Sequence, residues 1–140
     1  MKPSFGNVIL FKSIYENQGV YHVDAVRVGL TSHWCKGTSI ERFNKQNSFA
    51  ALPKDSQQAR DIERFRWFSD DYLAQDEAGR VIDMRYSMIP DAIDAMWGIT
   101  VDVTRPDHHV GWWASRQLGA EELAHFTDLL LGRGCLEVSK

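Results

Sequence analysis

Asp83 and Arg85 stand two positions apart in the run VIDMRYS. On a strand that spacing puts a carboxylate and a guanidinium on one face. With Arg64, Arg66 and Trp67 brought alongside from the preceding segment, the group could build a partly buried ion-pair network or hold an anionic ligand. Of the two, the structural network is the stronger reading. Asp70 and Asp71 form a second carboxylate pair. Acid–base work would require both in one pocket, and neighbouring residues usually diverge, so a turn and cap role is favoured. Asp107, His108 and His109 are the nearest approach to a metal set, yet adjacent strand residues point to opposite faces and do not easily share one ion. An independent enzyme would draw on Asp70, Asp83 and His109, the weakest of these readings. The chain has no Ser-His-Asp order, no Gly-rich phosphate loop and no nucleophile elbow. Its residues alone leave the catalytic set unknown.

These side chains need elements to position them. Residues 8–15 and 20–28 are β-branched and aromatic runs around Glu16-Asn17-Gln18-Gly19, whose glycine suits a tight turn, so the spacing predicts an antiparallel hairpin. Residues 32–37 read as a loop, 40–43 as a short third strand and 44–55 as a surface connection. Asp55 with Gln58 resembles a capping box. The helix it opens has Ala59, Ile62 and Phe65 as its apolar stripe, and Arg60, Asp61, Glu63 and Arg64 outside. A second hairpin follows, 72–75 and 80–88 around residues 76–79, and then a helical turn at 91–96. Two further strands are expected at 98–104 and 110–115, where Trp112 and Trp113 must face opposite ways. Residues 120–131 form an amphipathic C-terminal helix with Leu123, Phe126 and Leu130 on its stripe, stopped by Gly132. The sum is an α+β domain, an antiparallel β-sheet built from hairpins with helices packed on one side.

At 140 residues the chain has the length of a single domain, 1–140. A formal charge of −3 argues against a general nucleic-acid binder, which needs a basic face to displace counterions. Five Trp, seven Phe and four Tyr are a heavy aromatic load, enough for some rings to cover a partner rather than fill the core, while Phe65 and Trp67 are expected near Tyr86 and Trp97. Cys35 and Cys135 have no CxxC companion, and two reduced, partly buried thiols are expected. No apolar run approaches the roughly 18 residues of a membrane span, and no signal-peptide core is visible at the N-terminus, so as given the chain reads as soluble.

Several segments together resemble a known pattern. They are NVILFKSIY (7–15), YHVDAVR (21–27), RFRWFS (64–69), DMRYSMIP (83–90) and MWGI (96–99). They are similar to the soluble C-terminal portion of bacterial membrane-bound metal-dependent hydrolases, the inner-membrane proteins of the YdjM type. The resemblance covers the chain from about Asn7 to the closing helix. It implies a module excised from a longer membrane protein, with that protein's transmembrane portion as its partner and the inner membrane as its location. The resemblance puts the metal-binding histidine and aspartate segments in the membrane-proximal part, so any divalent metal would sit in the parent and no cofactor is expected in this chain. This chain lacks every spanning segment of that pattern, and no substrate comes with it. The expected function is an extramembrane accessory domain that caps, orients or gates a site built elsewhere. The alternative is a stand-alone module that binds a small anionic ligand or a partner protein through the Trp67 and Arg85 region.

Overall fold

The computed structural model describes residues 1–4 and 6–138. Its strands divide into two antiparallel sheets. The first has the order β1-β2-β3-β4-β9, with β1 Lys2–Pro3, β2 Leu10–Asn17, β3 Val20–Arg27, β4 Ser32–Glu41 and β9 Leu136–Val138. The second has the order β5-β6-β7-β8, with β5 Leu73–Gln75, β6 Val81–Asp83, β7 Trp97–Thr100 and β8 Gly111–Ala114. Three helices join them: α1 Lys45–Ser48, α2 Gln57–Phe68 and α3 Ala120–Leu130. The α+β class read from the sequence is the one observed.

The β2–β3 hairpin turns on Gln18 and Gly19, both at positive φ, with Asn17 paired to Val20. A two-residue turn of that hand matches the twist of its strands, which fixes the register. Tyr21, Val23 and Ala25 alternate inward along β3 and are buried. Across the fold, Val81 and Ile82 are adjacent and both buried, because the second sheet is covered on both faces. Val81, Leu73 and Ile99 meet Ala59, Ile62 and Phe65 of α2, while Ile82 and Ala74 meet Tyr21 and Val23 of the first sheet. Helix α2, the second sheet and the first sheet are therefore three layers. Helix α3 covers the rest of the first sheet's inner face through Leu129, Phe126 and Leu130, beside Leu10, Ala25 and Cys35.

Several local expectations change. Cys35 and Cys135 are disulfide-bonded, with Cα atoms 4.5 Å apart across 100 positions of sequence, not reduced thiols. Residues 32–37 belong to β4, because β3 on one side and β9 on the other pair with a run of weak strand formers. The cap of α2 is Ser56, whose hydroxyl accepts from the Ala59 amide, rather than Asp55. Asp61, expected on the outer face of α2, is buried at its edge. Strand β6 stops at Asp83, and residues 91–96 form no helix. On α3 the buried leucine is Leu129, while Leu123 is exposed.

Candidate functional site

Asp83 ends β6 with no exposed surface, and the chain turns at once so that Arg85 folds back on it. Arg85 Nε donates to Asp83 Oδ1 at 3.0 Å and Nη2 to Oδ2 at 2.8 Å, a two-pronged pair. The Arg85 amide donates to Oδ1 and the Trp97 indole to Oδ2. Arg85 Nη2 also donates to the carbonyl of Phe68 at 2.8 Å, placing a cation on the C-terminal end of α2. Tyr86 lies against Trp97, ring centres 4.9 Å apart, and the Lys2 ammonium lies 4.9 Å from the centre of the Tyr86 ring. Paired with Asp83, the Arg85 guanidinium is held above its ordinary pKa. Asp83 and Arg85 thus satisfy each other and lock β6, β7 and α2 together.

Arg64 and Arg66 do not join that pair. Arg66 lies on the opposite flank of α2 and donates from Nε to Asp71 Oδ1 at 3.0 Å, while Arg42 grips the other oxygen of Asp71. Arg42 continues to Glu16 at 3.4 Å, Arg66 to Glu63 at 3.3 Å, and Glu63 to Lys45 at 3.5 Å. The result is a chain of alternating charge, Glu16–Arg42–Asp71–Arg66–Glu63–Lys45, drawn from the β2–β3 hairpin, the end of β4, α1 and α2. All six line an open cleft of about 1170 Å³. Lys54 and Glu41 also line it, so its cations and carboxylates balance.

The backbone that presents Asp71 is unusual. Asp70 and Asp71 both sit at positive φ, 52° and 60°, where residues with a Cβ are uncommon. The turn is closed by the Asp71 amide donating to the Arg66 carbonyl and by the Tyr21 hydroxyl donating to the Asp71 carbonyl. The expected turn role of this pair is what the geometry displays, and the aspartate it presents is the hub of the cleft. Burial alone would raise the Asp71 pKa, but hydrogen bonds and charge from Arg66 and Arg42 outweigh it and hold the carboxyl below its usual range. Such a group stays ionised. It suits binding better than proton transfer.

No protein family, curated protein or solved structure matches this chain. What its site does must be read from its own residues.

His109 is the member of the suspected metal set with a partner. Its Nδ1 lies 2.8 Å from Oδ2 of Asp61, 48 positions away, and the Val110 amide donates to the same oxygen. Burial pushes the Asp61 pKa up, but hydrogen bonds from His109, Gln57 and the Val110 amide prevail and lower it. Among the described residues, no three His, Cys, Asp or Glu side chains group as a metal site, and Asp107 and His108 do not join His109. Trp67 points straight away from the core, 86% exposed, and Trp112 is exposed as well. Trp113 is half-buried, with the Arg80 guanidinium 3.7 Å from its ring centre.

Sequence reasoning missed Arg42, Asp61 and Lys12. Lys12 is buried on β2 and donates to Ser87 Oγ at 2.7 Å and to the Ala92 carbonyl at 2.9 Å. Its signal was there, since Lys12 falls between Leu10 and Ile14 on the inward alternation of its strand. Arg42 had none, because Glu16 and Asp71 lie 26 and 29 positions away, and for Asp61 the local partners Gln57 and Arg64 gave no hint of His109, 48 positions away.

Proposed function

We propose that this chain is an extramembrane accessory domain of a membrane-bound hydrolase, with the metal chemistry in the parent protein and the charged cleft as the surface that engages it. The observation that carries this reading is the alternating chain of ion pairs lining the cleft. Its outer pairs, at 3.3 to 3.5 Å, are loose and partly exposed, so a partner's charges can exchange with Glu16, Glu63 or Lys45 at little cost. Asp71, fixed by two guanidiniums, keeps the frame while the rim exchanges. The resemblance in residues 7–27 and 64–99 supplies the parent. Within the described residues no helix is long and apolar enough to cross a membrane, so a membrane connection would run through the parent. The Cys35–Cys135 disulfide favours the oxidising, extracytoplasmic side, since such bonds are rare among thiols kept reduced in the cytosol.

The reading is tested by fractionating cells of the native host and probing with an antibody against this domain. The expected result is a polypeptide longer than these 140 residues, held in the membrane pool through a carbonate wash. A 140-residue polypeptide in the soluble pool would overturn it. In the membrane-held protein, Arg42→Glu with Arg66→Glu should leave fractionation unchanged and make the domain more open to protease. Unchanged protease resistance would exclude the cleft as the contact.

A further inference from the structure

The opposite flank of α2 carries a second concavity, unrelated to the charged cleft. It is a groove of about 360 Å³ between α2 and β8, within the range of small-molecule sites, roughly 300–1,000 Å³. Its floor is Phe65, 5% exposed, with Ile99 beside it. Phe68 stacks on Phe65 at 6.2 Å between ring centres, and Trp112 meets Phe65 edge-on at 6.2 Å and 90°. Phe68 and Trp112 are thus close to perpendicular, and with Phe65 they frame an L-shaped slot with one wall on each element. Phe68 and Trp112 remain 52% and 62% exposed, so the slot presents unused aromatic surface.

The polar groups of the groove collect on Asp61. Its Oδ1 accepts from Gln57 Nε2 at 2.8 Å, and its Oδ2 accepts from the Val110 amide at 3.2 Å and faces His109 Nδ1 at 2.8 Å. That carboxylate is satisfied within the fold. The ionised Asp61 receives the Nδ1–H of His109, which fixes the orientation of the imidazole ring at the groove. Gln58 steadies the β7–β8 connection leading to His109 by donating to the Arg105 carbonyl and accepting from the Asp102 amide, each at 2.8 Å. Arg64 is the group left over. Its side chain is 74% exposed, and its one ion pair among the described residues is a long one, 3.6 Å to the already satisfied Asp61. The groove therefore combines an aromatic slot with an underused guanidinium at its rim.

We propose that this groove binds a small ligand made of a flat aromatic ring and a carboxylate head, the ring between Phe68 and Trp112 and the carboxylate on Arg64. A cation is disfavoured because Asp61, the one carboxylate among the described residues lining the groove, is consumed by the fold. A purely apolar ligand would leave the guanidinium unused.

The test is an NMR titration of the whole 140-residue chain, following the indole N–H signals of Trp112 and Trp67, with phenylacetate, phenylacetamide and acetate as probes. Phenylacetate should shift Trp112 saturably and leave Trp67 in place, with a dissociation constant on the order of millimolar. Phenylacetamide should bind about threefold to fivefold more weakly, and acetate should give no saturable shift. Arg64→Gln, at an exposed position, should keep the fold and erase the preference for acid over amide. Trp112→Ala should weaken phenylacetate about tenfold, read from the His109 and Val110 signals. Equal binding of acid and amide, acetate binding as well as phenylacetate, or indifference to both substitutions would overturn the proposal. So would Trp112 shifts that appear only with phosphatidylglycerol vesicles, which would assign the face to a bilayer, or no saturation by any probe.

Discussion

Two networks of aspartate and arginine flank the last turn of α2, and they differ mainly in burial. Asp83 and Arg85 are 0% and 16% exposed, and every oxygen of the carboxylate is used. Asp71, Arg42 and Arg66 are each about 40% exposed, and their chain runs on to loosely held glutamates. Around Asp83, water cannot replace a lost partner, so the pair behaves as part of the core. Around Asp71, water and incoming groups compete for each contact, so the network contributes little stability and remains open to exchange. The same two side-chain types thus do structural work on one side of the helix and can do recognition on the other.

If α2 is the shared support of both networks, cutting its anchor should damage both. Phe65→Ala removes a ring packed among Ile62, Leu73 and Ile99 and should cost about 3–5 kcal/mol in urea unfolding. A loss below about 1 kcal/mol would place the helix's apolar face elsewhere.

A covalent link that belongs to neither network should act on the whole fold without favouring either. Reducing Cys35–Cys135 should lower stability by about 2–4 kcal/mol, because the bond restrains a loop of 100 positions in the unfolded chain. A thermal melt unchanged by reductant would show that the bond is not formed or does not constrain the domain.

Lys12 sharpens the comparison from the opposite direction, as a buried charge without a hydrogen-bonded carboxylate. Burial lowers its pKa from 10.5 to about 8, against the pull of Asp91, Asp83 and Asp94. Between about pH 8 and 10.5 the unfolded chain binds the proton that the folded chain has released, so stability should rise with pH across that window and level off at its lower value below about pH 8, where both states are protonated. Tyr21, pushed up to about 12 by burial, reverses the trend above pH 10, where the unfolded phenol ionises first. Lys12→Met should flatten the rise, on the order of 1–3 kcal/mol. A wild-type profile flat from pH 8 to 10 would contradict the burial of a charged amine.

How much of this was legible in the sequence depended on how local its cause was. The β2–β3 hairpin is written in Asn17-Gln18-Gly19-Val20, and the inner stripe of α2 in Ala59, Ile62 and Phe65. The first part of β4 was hidden because Ser32 and His33 carry little strand preference and are held by β9, with β3 on the other side of His33. The split into two sheets was hidden as well, since Val81 and Ile82 are both apolar and do not say which layer each one meets. Asp83 and Arg85 are expected to pair on one face of a strand, and they do pair, but β6 stops at Asp83 and it is the turn after it that folds Arg85 back. Asp71 with Arg42, Asp61 with His109 and Cys35 with Cys135 could not be paired from the sequence, because only the fold brings them together.

The contrast between the networks is tested most directly by urea unfolding of Arg85→Met and Asp71→Asn in one buffer. Asparagine tolerates the left-handed backbone at position 71, so the second change removes charge and little else. The account predicts a loss of about 3–5 kcal/mol for Arg85→Met, which strands a buried carboxylate, and about 1 kcal/mol or less for Asp71→Asn. Equal losses, or a larger loss for Asp71→Asn, would contradict it.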